Sequence, residues 1–235
     1  MNADNMNNPD LLLKVIDIRK SFQDNKRRID VLKGINLDVH SGETVSITGV
    51  SGSGKTTLLQ IIGSLDRPTS GDALFRDESI FSKSPDELST FRNANVGFVF
   101  QSHHLLIEFD LMENVMFPAI ISGMDKKQAS QKAEELLTDV GLADKISNKP
   151  SELSGGEQQK VAVARALIMS PPLVLADEPT GNLDSHSGEV IMDLLLQFNK
   201  TKGVTIIIVT HNESFANMMS KRYRISDGVL FQNLG

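Results

Sequence analysis

The sequence predicts an α/β fold: a largely parallel sheet around a phosphate-binding loop, with a small antiparallel β section before it and a helical insertion within it. Three observations carry this expectation. The run Gly49-Val50-Ser51-Gly52-Ser53-Gly54-Lys55-Thr56 stands between a strand-like and a helix-like segment. Short apolar runs at residues 96–100, 173–176 and 204–209 have the composition of parallel strands buried on both faces. Residues 102–170 differ in character, with Ala129, Ala133, Leu136, Leu137 and Val140 at helical spacing and Gly141 placed to end that helix.

The elements follow in chain order. Residues 11–18 and 29–39 are apolar and β-branched, with Asp24-Asn25 and Ser41-Gly42 as turns, which predicts the antiparallel section. Residues 43–48 form a strand running into the glycine loop. The helix beginning near Gly54 carries Leu58, Leu59, Ile61 and Ile62 and must stop before Pro68. The chain returns to β at residues 223–226, turns at Asp227-Gly228, and continues through 229–231. Without internal repeats or low-complexity tracts, it reads as one continuous fold.

Composition narrows the function. The 235 residues, 40% hydrophobic, suffice for a sizeable core. The net charge of −6 gives no global positive field for nucleic acid or a bare anionic membrane, so any polyanion must be held locally. With no cysteine, disulfides, thiolate metal sites and cysteine nucleophiles are excluded, and a reducing compartment fits. The Asn-rich first ten residues lack the features of a secretory signal, and the apolar run 115–124 is broken by Pro118 and Gly123. A soluble, cytoplasmic chain is therefore expected.

The glycine loop matches G-x-x-x-x-G-K-[ST]. Gly49, Gly52 and Gly54 let the backbone curl its N–H groups around an anion at a helix N-terminus. Lys55 is placed to reach the β- and γ-phosphates, and the Thr56 hydroxyl to ligate Mg²⁺. The apolar run 173–176 ends in Asp177-Glu178, placing Asp177 near the Mg²⁺ shell and Glu178 where it can polarise a water against the γ-phosphate. Asn148-Lys149-Pro150-Ser151 lacks the aspartate of a guanine reader, which favours ATP over GTP.

Between these motifs stands Leu153-Ser154-Gly155-Gly156-Glu157, followed by Gln158-Gln159-Lys160 and the apolar stretch 161–168. Ser154 and Glu157 also have the spacing of a capping box. Here the sequence resembles the nucleotide-binding domains of ABC transporters, over about residues 11–232. That family implies a P-loop NTPase with a RecA-like core, a single ATPase domain across 1–235, and a helical subdomain at about 102–170.

The resemblance also implies roles. Leu153 to Glu157 would complete the ATP pocket of the opposite subunit in a homodimer, with ATP also held by residues 49–57, including Thr57. Phe22, where tyrosine is commoner, would stack on adenine. Gln101 would join Thr56 and Asp177 around Mg²⁺ and act with Glu178 and His211 in catalysis. Asp184, in Gly181-Asn182-Leu183-Asp184, would cross the dimer interface. Membrane permease subunits would dock on the insertion, through side chains such as Leu105, Leu106, Ile107, Phe109, Met112 and Phe117. This implies a peripheral protein at the cytoplasmic face of the inner membrane and no nucleic-acid partner.

Within the family, residues 100–106, 113–115 and 175–184 look most like the lipoprotein-releasing branch, with macrolide-exporting and cell-division ATPases as relatives. Ile107 departs from the proline usual in that branch. A soluble ABC-type ATPase acting on DNA or ribosomes is disfavoured by the single cassette, the missing coiled-coil insertion and the negative charge.

Overall fold

The computed structural model describes residues 11–24 and 27–232. Strands β1 (Leu11–Asp24) and β2 (Arg27–His40) pair antiparallel, and β1 also pairs β4 (Ser70–Phe75), which turns into β5 (Glu78–Ser79). This sheet has the order β2-β1-β4-β5. Both long strands exceed the predicted spans, because their ladder continues from Arg19↔Lys33 to Asp24↔Arg27 through polar sequence. Asn25, half of the predicted turn, lies outside the described residues.

The second sheet has the order β10-β9-β3-β8-β7-β6. Its strands are β3 (Thr44–Thr48), β6 (Val96–Phe100), β7 (Leu173–Asp177), β8 (Thr205–Val209), β9 (Lys221–Ser226) and β10 (Val229–Gln232). All neighbours are parallel except β9 and β10. The predicted apolar runs are β6, at one edge of the sheet, and its neighbours β7 and β8, with Val204 just outside β8.

Alternation explains why these strands are apolar throughout. Val174, Ala176, Ile206 and Ile208 enter one core, and Leu173, Leu175, Ile207 and Val209 enter another, all at most 1% exposed. The second core also receives Leu58, Leu59, Ile61 and Ile62 of α1 (Lys55–Ile62) and the inner face of the antiparallel sheet. Helix α1 stops at Gly63, well short of Pro68. Ser64 there is left-handed at φ 56°, and its carbonyl accepts a hydrogen bond from Arg92 at 3.0 Å.

Helix α2 (Pro85–Asn95) was not anticipated, although its start signal was present. Ser84 and Glu87 form a capping box, and proline occupies the first turn. Residues 102–170 contain α3 (Leu111–Ile121), α4 (Lys126–Asp139) and α5 (Gly155–Leu167). Gly141 ends α4 at φ 75°, as its position predicted. Helix α5 also lies against β6, where a Cβ at Gly97 would fall 2.3 Å from the Ala166 carbonyl oxygen. Helix α6 (Ser185–Lys202) and the short α7 (Glu213–Ala216) complete the fold. Among the described residues, no helix is long and apolar enough to cross a membrane.

The loop between β6 and α3 is organised by Asn114, which is fully buried. Its Oδ1 accepts from the Leu106 N–H at 2.8 Å, and its Nδ2 donates to the carbonyls of Leu106, Phe109 and Asp110 at 3.0, 3.3 and 2.9 Å. Asn114→Ala leaves these backbone groups without that partner. We expect it to lower the free energy of unfolding by about 2–4 kcal/mol in urea titrations.

Candidate functional site

The glycine loop forms because the chain must reverse from β3 into α1 in very little space. A Cβ at Gly49 would lie 2.5 Å from the Ile225 carbonyl oxygen and 2.8 Å from Ser53 Oγ, so only glycine fits. Lys55 is buried and folds back on the loop, donating to the carbonyls of Gly49 at 2.8 Å and Val50 at 3.2 Å. The Ser53 hydroxyl is buried without a hydrogen-bond partner, which suits a loop built to receive an anion.

Beside the loop, the ends of β6, β7 and β8 bring three further groups together. Ser51, Gly52, Gly54, Lys55, Thr56, Thr57, Val31, Gln101, Glu178 and His211 line one cavity of about 710 Å³. That volume lies within the ~300–1,000 Å³ usual for small-molecule sites. Asp177 adjoins it: its Oδ1 accepts from the Thr56 hydroxyl at 3.1 Å. Burial pushes the Asp177 carboxyl up, and the adjacent Glu178 charge adds to this, while the Thr56 hydrogen bond opposes it.

Glu178 adopts a left-handed backbone at φ 46°, a conformation costing a non-glycine residue about 1–2 kcal/mol. It is held there by its N–H donating to Val209 O at 2.9 Å and its carbonyl accepting from Gly181 N at 3.0 Å. The side chain thereby meets His211, whose Nδ1 lies 3.0 Å and whose backbone N–H lies 3.3 Å from Glu178 Oε2. A carboxylate and an imidazole thus converge on the space beside Lys55 and Thr56. That pairing suits polarising a water next to a bound phosphate.

The signature residues lie elsewhere. Ser154 caps α5: its Oγ accepts from the Glu157 N–H at 3.3 Å, and Glu157 Oε2 accepts from the Ser154 N–H at 3.0 Å. Leu153 is buried, and none of Leu153, Ser154, Gly155, Gly156 and Glu157 lines the cavity of the glycine loop. Asp184 caps α6, accepting from Ser187 N at 3.0 Å and Ser187 Oγ at 2.6 Å, and these bonds hold its carboxyl below the usual range. It lines a second cleft of about 360 Å³, also bordered by His211.

The family model described as "ABC transporter" matches residues 32–181. The chain belongs to the ABC transporter family. Among ABC relatives, the protein named "Lipoprotein-releasing system ATP-binding protein LolD" from Syntrophus aciditrophicus is 52% identical over 217 residues, covering 92% of this chain and 97% of that protein. The protein of the same name from Idiomarina loihiensis is 44% identical over 226 residues, covering 96% and 99%. A solved ATP-binding cassette, described as the dimeric structure of a post-hydrolysis state bound to ADP and Pi, is 38% identical. It superposes with a TM-score of 0.87, covering 95% of this chain and all of that one. The fold is thus that of the ABC ATPases, and the chain is an ATP-binding ATPase of this family.

Phe22 is the aromatic residue expected at the adenine. It stands 44% exposed on β1 with the Lys20 ammonium 5.0 Å from its ring centroid, and it does not line the cavity, whereas Val31 on β2 does. Asn182 and Gln159 were missed as site residues. Asn182 Oδ1 accepts from Gln101 Nε2 at 2.9 Å and its Nδ2 donates to the Gln101 carbonyl at 3.1 Å. A Cβ at Gly181 would come 2.7 Å from the same Gln101 nitrogen. Gln159 is fully buried and donates to the carbonyls of Phe100 at 3.3 Å and Pro179 at 2.7 Å, tying the Gln101 strand end to the turn after Glu178. Its signal was an amide on the same helical face as Val163 and Ala166.

Past Gln101, His103 and His104 are both left-handed, at φ 58° and 49°. Arg165 of α5 donates to both of their carbonyls, at 2.6 and 2.7 Å.

Proposed function

We propose that this chain is the ATP-hydrolysing subunit of a lipoprotein-releasing ABC complex. The observation that carries the catalytic reading is the one cavity in which Lys55 and Thr56 face Glu178 and His211. The loop N–H groups, Ser53 and Lys55 bind the β- and γ-phosphates, Val31 borders the nucleotide, and Phe22 is the aromatic that stacks on its adenine. Glu178 takes a proton from the attacking water as the new P–O bond forms and the bond to the β-phosphate oxygen breaks. His211 and Lys55 stabilise charge on the transferring phosphoryl group.

The donor set fits Mg²⁺. The Thr56 hydroxyl and the Asp177 carboxylate are hard oxygen ligands, and Gln101 bonds Asn182 through its amide nitrogen, leaving its carboxamide oxygen for the ion. No group of three or more His, Cys, Asp or Glu side chains is placed to hold a metal among the described residues. Bound Mg²⁺ supplies neutralising charge at the β- and γ-phosphates.

The signature lies outside its own chain's cavity, so a head-to-tail homodimer is the arrangement that gives it a nucleotide. Ser154, Gly155 and Gly156, at the N-terminus of α5, then cover the partner's ATP, and Asp184 lies at the interface. The dimeric form of the related cassette supports this reading. The chain acts as a single ATPase domain, with residues 102–170 as its helical subdomain.

The membrane partner docks in an apolar groove of about 500 Å³ lined by Leu65, Val96, Phe98, Leu106, Phe117 and Ile121. Of the side chains expected there, Leu106 and Phe117 line the groove, and Phe109 stacks edge-on against Phe117 at 5.5 Å. Ile107 stands 66% exposed, while Leu105 and Met112 turn onto the core. The partners are integral permeases of the LolC/LolE kind, holding the chain peripherally at the cytoplasmic face of the inner membrane, and nucleic acid is not a ligand.

The test is copurification from detergent-solubilised native membranes, followed by reconstitution with a membrane-anchored lipoprotein. The expected results are copurifying permeases and ATP-dependent lipoprotein release. Release of a small drug instead, or association with division-site proteins, assigns the chain to the efflux or cell-division branch. Leu106→Asp and Phe117→Asp are expected to cut copurification at least about tenfold, through a charge buried in the contact.

A further inference from the structure

Glu157 is the third residue of α5, beside the N–H groups that the proposed dimer offers to the partner's nucleotide. A helix N-terminus attracts anions, but a carboxylate in its first turn offsets that field and repels a triphosphate. A glutamine at this position would carry no such cost.

Both carboxylate oxygens of Glu157 are held by their own chain. Oε2 accepts from the Ser154 N–H at 3.0 Å and the Ser154 hydroxyl at 3.2 Å, and Oε1 is 2.6 Å from Lys145 Nζ. Lys145 ends the short 3₁₀ turn Ala143–Lys145, a separate segment from the signature. The pair is partly buried, with side-chain exposures of 34% and 27%, so its charges are less screened than those of a fully exposed pair. The Lys145 hydrogen bond is the largest cause holding the Glu157 carboxyl below the usual range, and Glu157 in turn raises Lys145. The other ionisable group acting on Lys145 is Asp144, on the same turn.

We propose that Lys145 is a positioning residue for the nucleotide bound across the dimer: it draws the Glu157 carboxylate back onto its own chain and supplies the countercharge that makes a glutamate compatible with an ATP-facing signature. This rests on the head-to-tail reading given above. Lys145 does not touch ATP in this arrangement; it acts through Glu157.

The test measures the ATP concentration that half-saturates dimer formation, by light scattering on the full chain carrying Glu178→Gln so that turnover does not intervene. Lys145→Met is expected to raise that concentration about five- to tenfold when Glu157 is present and less than about twofold when Glu157→Gln is added, because the uncompensated charge is then gone. Glu157→Gln alone is expected to lower it. Binding of a fluorescent ATP analogue to the monomer, through the Lys55 loop, is expected to be unchanged by Lys145→Met. No loss from Lys145→Met, or the same loss in both backgrounds, overturns the inference. If ATP drives no association even in the Glu178→Gln parent, the head-to-tail reading fails and the inference falls with it.

Discussion

Glu178→Gln is expected to lower steady-state ATP hydrolysis by about 10²- to 10⁴-fold, the range typical for loss of a general base. ATP affinity should be retained. The substitution keeps the shape and hydrogen-bonding reach of the side chain but removes its ability to accept a proton from water. The local backbone depends on main-chain bonds to Val209 and Gly181, so the left-handed turn at φ 46° survives the change. Only the contact of Oε2 with His211 loses its charge. Bound ATP then persists, and the protein accumulates as a dimer on size exclusion when ATP and Mg²⁺ are present. An undiminished turnover rate in this variant would show that Glu178 is not the base.

Lys55→Met acts a step earlier. The ammonium is buried and folded over the loop onto the carbonyls of Gly49 and Val50, and among the described residues it is the one lysine or arginine lining the cavity. Replacing it with an uncharged chain of similar length leaves the core filled but removes a point charge from the phosphate site. ATP affinity is expected to fall about 30-fold or more in equilibrium titrations, since a hydrogen-bonded charge lost from a desolvated site costs roughly 2–5 kcal/mol or more. The melting temperature should change little. Full ATP binding by this variant would remove the loop from the nucleotide site.

These two residues were legible in the sequence because their chemistry restricts backbone and side chain together. Gly49 has no room for a Cβ, the strand before it alternates hydroxyl and β-branched apolar residues, and the helix after it carries a strong apolar pattern. Strands β7 and β8 were legible because burial on two faces makes them almost wholly apolar, with Thr205 the buried polar exception in β8. Where a contact depends on chain segments far apart, the local signal vanished. Asn182 is one polar residue among several in its turn, and only the fold brings it to Gln101 across 81 positions. Val31 reads as an ordinary strand residue until β2 passes beside the loop. Phe22 was legible only as an aromatic in a strand, and in the fold it stands exposed beside Lys20, outside the cavity lining. Helix α2 was overlooked because its buried face is only Leu88 and Phe91, too narrow a stripe to show a period.

The alternate facing of β7 and β8 has a mechanical consequence. A strand that gives every second residue to a different core cannot slide or tilt without opening voids on both sides of the sheet, and close-packed interiors resist that. Glu178 and His211 follow directly on these strands, so they ride on an anvil. Motion driven by nucleotide must therefore pass through the parts seated on one side only. Arg165 fastens the short arm from Gln101 to Leu106 to α5, which packs on the edge strand β6, so a shift of that arm is expected to carry α5 with it.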